Sequence, residues 1–224
     1  RFCRPNDKFT YEPKIAYRHP ILDEKFMVKG DENLMTDEEV EVLIEDFVKA
    51  ARVAKEVGAD FVDIKHCHGY LLHEFLGAYS RPGRYGGSFE NRTRILREIV
   101  AGIRAEGNDI DLAVRLSAFD MVPYRPDPEL SQGSKLGPGI PEKHTKVYPH
   151  QFGVNHEDPT QTDLSEAFKF VKLCGKLGIK LLNSSAGSPY YTPHLQRPAA
   201  YPPSDGYQTP YDPLVDVARQ IDGV

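Results

Sequence analysis

The sequence predicts an α/β fold built on a parallel sheet, and three observations lead to that prediction. Short apolar segments alternate with amphipathic segments in the order strand, helix, strand, helix, strand. Crossovers through a helix are right-handed and join parallel strands, so this order indicates a parallel sheet. Ionisable side chains crowd the end of the first strand, where parallel sheets build their active sites. The candidate site is therefore expected at this edge of the sheet.

A helix is predicted before the first strand. Thr36 and Glu39 have the spacing of a capping box, in which a hydroxyl and a carboxylate satisfy free amides at a helix start. Gly58 supplies the stop. The apolar residues between these signals recur at spacings of three and four, as on the buried face of a helix; they are Val40, Leu43, Ile44, Phe47, Val48, Ala51 and Ala54.

Three strands are predicted. The first lies near residues 60–66 and begins with a buried run at residues 61–64. The second is Asp111–Ser117, and the third covers residues 179–184. Each is a short apolar run of the kind that parallel sheets bury.

Helices are predicted between and after these strands, over residues 88–105 and 163–178. Asp212 and Pro213 have the pattern of an N-cap and first position of a further helix. The residues expected to be buried are Ile95, Leu96, Ile99, Val100 and Ile103 in the first of these helices, and Phe168, Val171, Cys174 and Leu177 in the second.

The number of strands suggests an incomplete barrel. A closed (β/α)₈ barrel needs eight strands and about 250 residues, whereas these 224 residues contain three convincing strands. We therefore expect residues 1–224 to form a single incomplete TIM-barrel domain, a partial (β/α)₈ barrel without its N-terminal and C-terminal strands. Residues 119–160 and 188–213 form long βα loops with seven prolines each. Such loops are either functional covers or surface decoration.

Composition excludes several classes of function. A net charge of -5 without a basic block argues against a nucleic-acid partner. No apolar run approaches the roughly 18 residues of a membrane span, and the first residues lack a signal-peptide core. Cys3, Cys67 and Cys174 are odd in number and irregularly spaced, which favours a reducing cytoplasm. We expect a cytoplasmic protein with a small-molecule substrate, and leave a homo-oligomer open.

The end of the first strand carries the candidate chemistry. Lys65, His66, His68 and Tyr70 fall within six positions, and such groups are costly to bury without a function. A metal site made by His66, Cys67 and His68 is the weaker interpretation. Neighbouring residues point to different faces, and no second cluster completes four ligands.

Three motifs continue from this strand in a fixed order. Residues 63–76 read DIKHCHGYLLHEFL, residues 85–92 read YGGSFENR, and residues 114–117 read VRLS. These motifs resemble the Old Yellow Enzyme family of NADH:flavin oxidoreductases, which bind FMN in a TIM barrel. The family's fourth strand ends in a pattern like EIHGAHGYLLHxFL, its next loop closes on YGGSxENR, and its fifth strand carries VRLS. The resemblance covers about strands four to six, with Arg1 resembling the residue after the third.

The resemblance implies an FMN-dependent NAD(P)H oxidoreductase of the ene-reductase type. Tyr70 would protonate the α-carbon of an activated alkene while flavin N5 gives a hydride to the β-carbon. His68 would hold the substrate's carbonyl or nitro oxygen, and Arg115 would face the N1–C2 edge of the flavin. A tyrosine or histidine with a purely structural hydrogen bond is the alternative for Tyr70 and His68.

Lys65 departs from the family, which usually has a histidine at that position. Together with His68 it would hold the substrate oxygen, and its charge would stabilise an anionic enolate or reduced flavin. The alternatives are an ion pair with a barrel carboxylate such as Asp63 and a Schiff-base lyase in which Lys65 attacks a carbonyl. Strand alternation places residues 65 and 68 on opposite faces. A shared pocket therefore requires the strand to end near His66 and the chain to turn.

A third hypothesis is a non-catalytic barrel fragment. In the family, glycine-rich loops after strands seven and eight hold the flavin phosphate, and the sequence contains neither loop. An isolated three-stranded sheet would also expose two edges. We therefore expect the isolated chain to be marginally stable, to bind FMN poorly and to be inactive.

Overall fold

A computed structural model describes residues 12–133, 137 and 139–196. Arg1, the predicted helix at Asp212 and Pro213, and the second half of the 188–213 loop lie outside the described residues. In chain order the elements are α1 (Pro20–Lys25), α2 (Asp37–Glu56), β1 (Phe61–His66), α3 (Leu71–Leu76), α4 (Phe89–Arg92), α5 (Arg94–Ala105), β2 (Asp111–Ser117), β3 (Tyr124–Pro126), β4 (Gly139–Pro141), α6 (Ser165–Lys176), β5 (Leu181–Ser185) and α7 (Pro193–Gln196).

The central sheet is parallel, as predicted. Its strand order is β1-β2-β5, and both pairings are parallel. In the register, Lys65 lies opposite Arg115, and Arg115 lies opposite Asn183. The α/β class and the parallel crossovers are thus confirmed, whereas the assignment to barrel strands four to six stays a prediction.

The two faces of this sheet differ. Ile64 and Val114 are buried in the core shared with the helices, because alternate strand residues point to that side. The prediction that residues 61–64 form a buried run is wrong, since Phe61 is 48% exposed and Asp63 is also exposed. In the described residues helices cover one face, and the other face carries Phe61, Lys65 and Arg115.

Helix α2 begins as the sequence predicts. The Glu39 amide donates to the Thr36 hydroxyl at 3.2 Å, and the Thr36 amide donates to the Glu39 carboxylate at 3.0 Å. The helix ends at Glu56, and Gly58 follows with φ +80°. This conformation favours glycine, so both termini follow from local sequence.

The helix predicted over residues 88–105 is two helices. Ser88 caps α4, and Thr93 separates α4 from α5 while its hydroxyl donates to the Phe89 carbonyl at 2.8 Å. Competition of a threonine hydroxyl with the helical backbone accounts for this break. All five residues predicted as its core are buried, namely Ile95, Leu96, Ile99, Val100 and Ile103.

The later elements shift by a few residues. Helix α6 begins at Ser165 rather than Asp163, because the Asp163 carboxylate accepts from the Ser165 amide at 2.9 Å. Its most buried residues are Ala167, Phe170, Leu173 and Cys174, of which only Cys174 was predicted; the other three predicted residues are half-buried. Strand β5 begins at Leu181, and the loop predicted as irregular contains the antiparallel hairpin β3–β4. No helix in the described ranges is long and apolar enough to cross a membrane.

His66 lies in the core rather than at the site. It is fully buried on the helical side of β1, with its ring centroid 5.4 Å from that of Phe170. Its Nδ1 lies 3.2 Å from the Ile64 carbonyl oxygen. Burial lowers its pKa from 6.5 to about 4, because the charged imidazolium loses its hydration there. His66 is therefore a neutral core residue.

This burial predicts a pH dependence of stability. Because the folded pKa is below the unfolded one, the stabilisation from neutral His66 is present above pH 6.5 and is lost as the pH falls toward 4. Between pH 7 and pH 5 this costs about 2 kcal/mol. Urea unfolding of H66L and the parent chain at both pH values should show their stability difference shifting by that amount in favour of H66L. An identical difference at both pH values would contradict the assignment.

Candidate active site

The candidate site begins with a sharp turn after β1. The strand ends at His66, and His68 and Gly69 have φ values of +64° and +72°. The Gly69 amide donates to His73 Nδ1 at 2.8 Å, and Tyr70 is the N-cap residue of α3. The predicted turn is therefore confirmed, and it frees Tyr70 from the alternation of the strand.

Lys65 and Tyr70 are brought together by this turn. The Lys65 ammonium lies 3.6 Å from the centroid of the Tyr70 ring, which is the geometry of a cation–π contact. Within the described part of the chain, Lys65 has no ion pair with Asp63, so Asp63 is wrong as its partner. An ion pair with another barrel carboxylate stays a prediction.

His68 is buried and held by three serines from neighbouring strand ends. Its amide donates to the Ser117 hydroxyl at 3.0 Å, and its Nε2 lies 2.9 Å from the Ser185 hydroxyl. Its carbonyl accepts from the Ser188 hydroxyl at 2.9 Å. Ser117 also donates to the Gly187 carbonyl at 3.0 Å. The turn is thus fixed to the ends of β2 and β5.

Tyr70 has a hydrogen-bond partner that sequence reasoning missed. Its hydroxyl lies 2.7 Å from the hydroxyl of Tyr190, and the two rings meet edge to face at 72°. Tyr190 is 47% exposed and belongs to the loop after β5. The sequence marks this loop as rich in tyrosine and proline, but nothing local distinguishes Tyr190 from the tyrosines around it.

The loop after β5 is anchored by a buried carboxylate. Asp120 accepts from the Tyr191 hydroxyl at 2.7 Å, the Thr192 hydroxyl at 3.1 Å and the Met121 amide at 2.9 Å. Burial raises the pKa of Asp120 to about 6, and these donors oppose the rise. Asp120 follows β2, so it joins the loops of two adjacent strands.

Arg115 supplies an unsatisfied donor on the open face of the sheet. It is half-buried in the middle of β2, and its Nε is buried without a hydrogen-bond partner among the described residues. Leaving such a donor unpaired costs about 1–3 kcal/mol or more. Because the Nε is buried, a ligand on this face would reach it only after the Arg115 side chain moved.

A family model for the NADH:flavin oxidoreductase / NADH oxidase family matches residues 8–127. This match spans more than half of the chain and includes β1, β2 and the turn between them. The chain belongs to this family. The resemblance drawn from the three sequence motifs is confirmed.

Curated members of the family match different lengths of the chain. A Bacillus subtilis NADPH dehydrogenase is 47% identical over 38% of this chain and 26% of its own length. A 12-oxophytodienoate reductase 1 from Oryza sativa subsp. japonica is 39% identical over 43% of this chain and 26% of its own. An NADPH dehydrogenase from Halalkalibacterium halodurans is 32% identical over 79% of this chain and 40% of its own. The chain therefore spans about a quarter to two-fifths of these flavin oxidoreductases.

The metal-site interpretation and Cys67 can also be compared with the structure. In the described residues no group of three His, Cys, Asp or Glu side chains has the arrangement of a metal site. Cys67 is buried, and burial raises its pKa to about 11, so it is an inert thiol. The roles of Tyr70, His68, Lys65 and Arg115 in this chain stay predictions.

The serine contacts give a test of how the site is held. S188A removes the hydrogen bond to the His68 carbonyl and the one that Ser188 accepts from the Tyr190 amide at 3.2 Å. We expect local opening of the turn and loop to become about five- to ten-fold more frequent. Hydrogen exchange at the amides of residues 68–70 and 190–192 measures this change.

S184A is the matched control for that experiment. The Ser184 hydroxyl is buried without a hydrogen-bond partner among the described residues, so its removal should leave exchange unchanged or slower. Equal exchange rates in S188A and S184A would show that the serine contacts do not hold the site.

Proposed function

We propose that this chain is the central part of an FMN-dependent NAD(P)H oxidoreductase of the ene-reductase type, which reduces an activated C=C bond. The observation that carries the proposal is the pair of cationic side chains, Lys65 and Arg115, side by side on the open face of the sheet, with the Lys65 ammonium over the ring of Tyr70. Family membership supports the flavin and the nicotinamide reductant. The substrate and the oxidoreductase activity of the whole protein are part of this proposal.

The residues on the open face fit a flavin. The Arg115 guanidinium would face the N1–C2 edge, where a fixed cation favours the reduced, anionic form. Asn183 lies beside Arg115 in the sheet and is exposed on that face, so it leaves the face polar and accessible. Bound FMN, reduced by NAD(P)H, would supply the hydride for the β-carbon of the substrate.

Tyr70 would supply the proton for the α-carbon. A phenol is neutral at pH 7 and can pass its proton to a substrate within hydrogen-bond reach. Lys65 places a positive charge over the Tyr70 ring, where it stabilises the negative charge that Tyr70 acquires on losing its proton. His68 would orient the substrate oxygen with Lys65, and its contact with Ser185 would fix the imidazole.

The open face of the sheet also supports a place for this chain inside a larger barrel. Phe61 and Leu181 are apolar side chains that are 48% and 47% exposed on the open face of the outer strands. In a closed barrel this face would be the packed interior. We therefore treat residues 1–224 as a single incomplete TIM-barrel domain that contributes strands four to six. For the same reason the isolated chain should be inactive.

The two alternatives from the sequence carry less support. The oxidoreductase family and the contact between Lys65 and Tyr70 favour proton chemistry at this site over a Schiff-base lyase that uses Lys65. A non-catalytic barrel fragment gives no reason for the contact between Lys65 and Tyr70 at the strand end. Borohydride trapping of a carbonyl substrate on Lys65 would support the lyase instead.

The Arg115 assignment predicts a loss of flavin affinity. R115M should weaken FMN binding by the holoenzyme about ten-fold or more, because a charged hydrogen bond to the flavin edge is lost. Titration of the apoprotein with FMN, followed by flavin absorbance, measures this affinity. R52M is the control, because Arg52 is an exposed arginine paired with Glu106 away from the site. Equal affinities in both variants would remove Arg115 from the flavin site.

The Tyr70 assignment predicts a selective loss of one half-reaction. Y70F should leave bleaching of the flavin by NAD(P)H unchanged. It should slow reoxidation of the flavin by an enone about 100-fold or more, because the Tyr70 hydroxyl that protonates the α-carbon is missing. Stopped-flow absorbance separates the two steps. An intact protein whose flavin does not bleach with NAD(P)H, or does not recover with any enone, would contradict the proposed function itself.

A further inference from the structure

We propose that Tyr190 is the second member of the proton-donating machinery. Its hydroxyl would donate to Tyr70 as Tyr70 protonates the substrate carbon, and it would return a proton to Tyr70 from solvent. This inference rests on the proposed function, because it gives Tyr70 the role of general acid. It adds a residue that the three family motifs do not contain.

The contact between the two hydroxyls is the first support. Their oxygens lie 2.7 Å apart, which is the most common distance for an O–H···O hydrogen bond. The rings meet edge to face with centroids 5.9 Å apart, so ring packing and hydrogen bonding fix the same geometry. Such a bond becomes stronger when one oxygen is charged, and Tyr70 acquires charge as it gives up its proton.

The loop around Tyr190 is built to hold this position. The Tyr190 amide donates to the Ser188 hydroxyl at 3.2 Å, and that hydroxyl donates to the His68 carbonyl. On the other side, Tyr191 and Thr192 are both fixed to Asp120. Tyr190 thus stands between anchored neighbours on both sides, as a functional side chain requires.

Gly187 shows how closely this loop is packed. It has φ +49°, and a Cβ at this position would lie 2.6 Å from the Thr192 hydroxyl oxygen. The loop therefore turns tightly back on itself before it reaches Tyr190. The Ser117 hydroxyl of β2 donates to the Gly187 carbonyl and accepts from the His68 amide. One hydroxyl therefore fixes both this loop and the turn at His68.

Tyr190 connects the tyrosine pair to an open groove. A groove of about 1010 Å³ runs between α1, the β3–β4 hairpin and the loop after β5, and Tyr190 is part of its wall. Tyr124, Arg125 and Glu142 line the groove from the hairpin side. Tyr70 is itself partly exposed, and Lys65 lies against one face of its ring. Tyr190 therefore joins the wall of the groove to the Tyr70 hydroxyl.

The proton transfers balance without a further reactant. The Tyr70 O–H bond breaks as its proton goes to the α-carbon, and the Tyr190 O–H bond breaks as a new Tyr70 O–H bond forms. Water in the groove returns one proton to Tyr190. The two electrons enter the substrate with the hydride, and neither tyrosine is oxidised or reduced.

The test separates carbon protonation from flavin chemistry. In the FMN holoenzyme, Y190F should leave flavin reduction by NADPH within about two-fold of the parent and should slow recovery with cyclohexenone by about ten-fold or more. Recovery with ferricyanide, which takes electrons and needs no proton on carbon, should be unchanged. Y190H, which restores a proton donor, should recover part of the rate. Y124F is the matched control from the groove and should match the parent throughout.

A second measurement does not depend on activity. In protein labelled with ¹³C at tyrosine Cζ, Y190F should shift the titration midpoint of Tyr70 upward, because the phenolate loses a donor, and Y124F should not. Parent-like enone recovery in Y190F, or an unshifted Tyr70 midpoint, would overturn the role of Tyr190. Failure of the parent enzyme to reduce cyclohexenone or any other enone would instead overturn the proposed function, and the titration would still decide whether the tyrosine hydroxyls act as a pair.

Discussion

The left-handed turn at His68 and Gly69 is the constraint on which the rest of the site depends. A non-glycine residue in this conformation is strained by roughly 1 kcal/mol or more and persists only where its surroundings hold it. Here the serine hydroxyls at the ends of β2 and β5 contact His68 through its amide, ring and carbonyl. The turn lifts Tyr70 off the strand and brings it under the Lys65 ammonium. Without it, residues 65 and 68 would lie on opposite faces of the sheet.

One face of the sheet packs against the helices, and the other carries the candidate site residues. Both faces arise because successive residues of a strand point to opposite sides. Ile64 and Val114 join the helices in the core. Lys65 and Arg115 are their immediate neighbours in sequence and lie side by side in the register on the other face. Both cations are half-buried there. Apolar Phe61 and Leu181 are about half exposed on the same face, so this face combines charged and apolar side chains that no other described element covers.

Local signals predicted the central sheet, its main helices and the turn after β1. The capping box at Thr36, the apolar period of α5 and the strand Asp111–Ser117 are encoded within a few residues, and all were found correctly. The burial of β1 was predicted wrongly, because apolar composition cannot tell which faces of a strand other elements cover. The partner of Tyr70 was missed for a related reason. Tyr190 is 120 residues away in sequence, and only the folded loop brings it to the turn.

The change from histidine to Lys65 fits the tyrosine pair better than a simple exchange of one substrate donor for another. An imidazole at this position would offer a short, directional hydrogen bond, whereas a lysine carries its charge on a flexible stem and acts as a point charge. In this chain that charge lies over the ring of Tyr70, while Tyr190 meets the same residue at its hydroxyl. Under the proposed function, Lys65 and Tyr190 would stabilise the same Tyr70 phenolate, one through the ring face and one through the oxygen. Both contacts would then make Tyr70 a stronger acid, because each favours its deprotonated form.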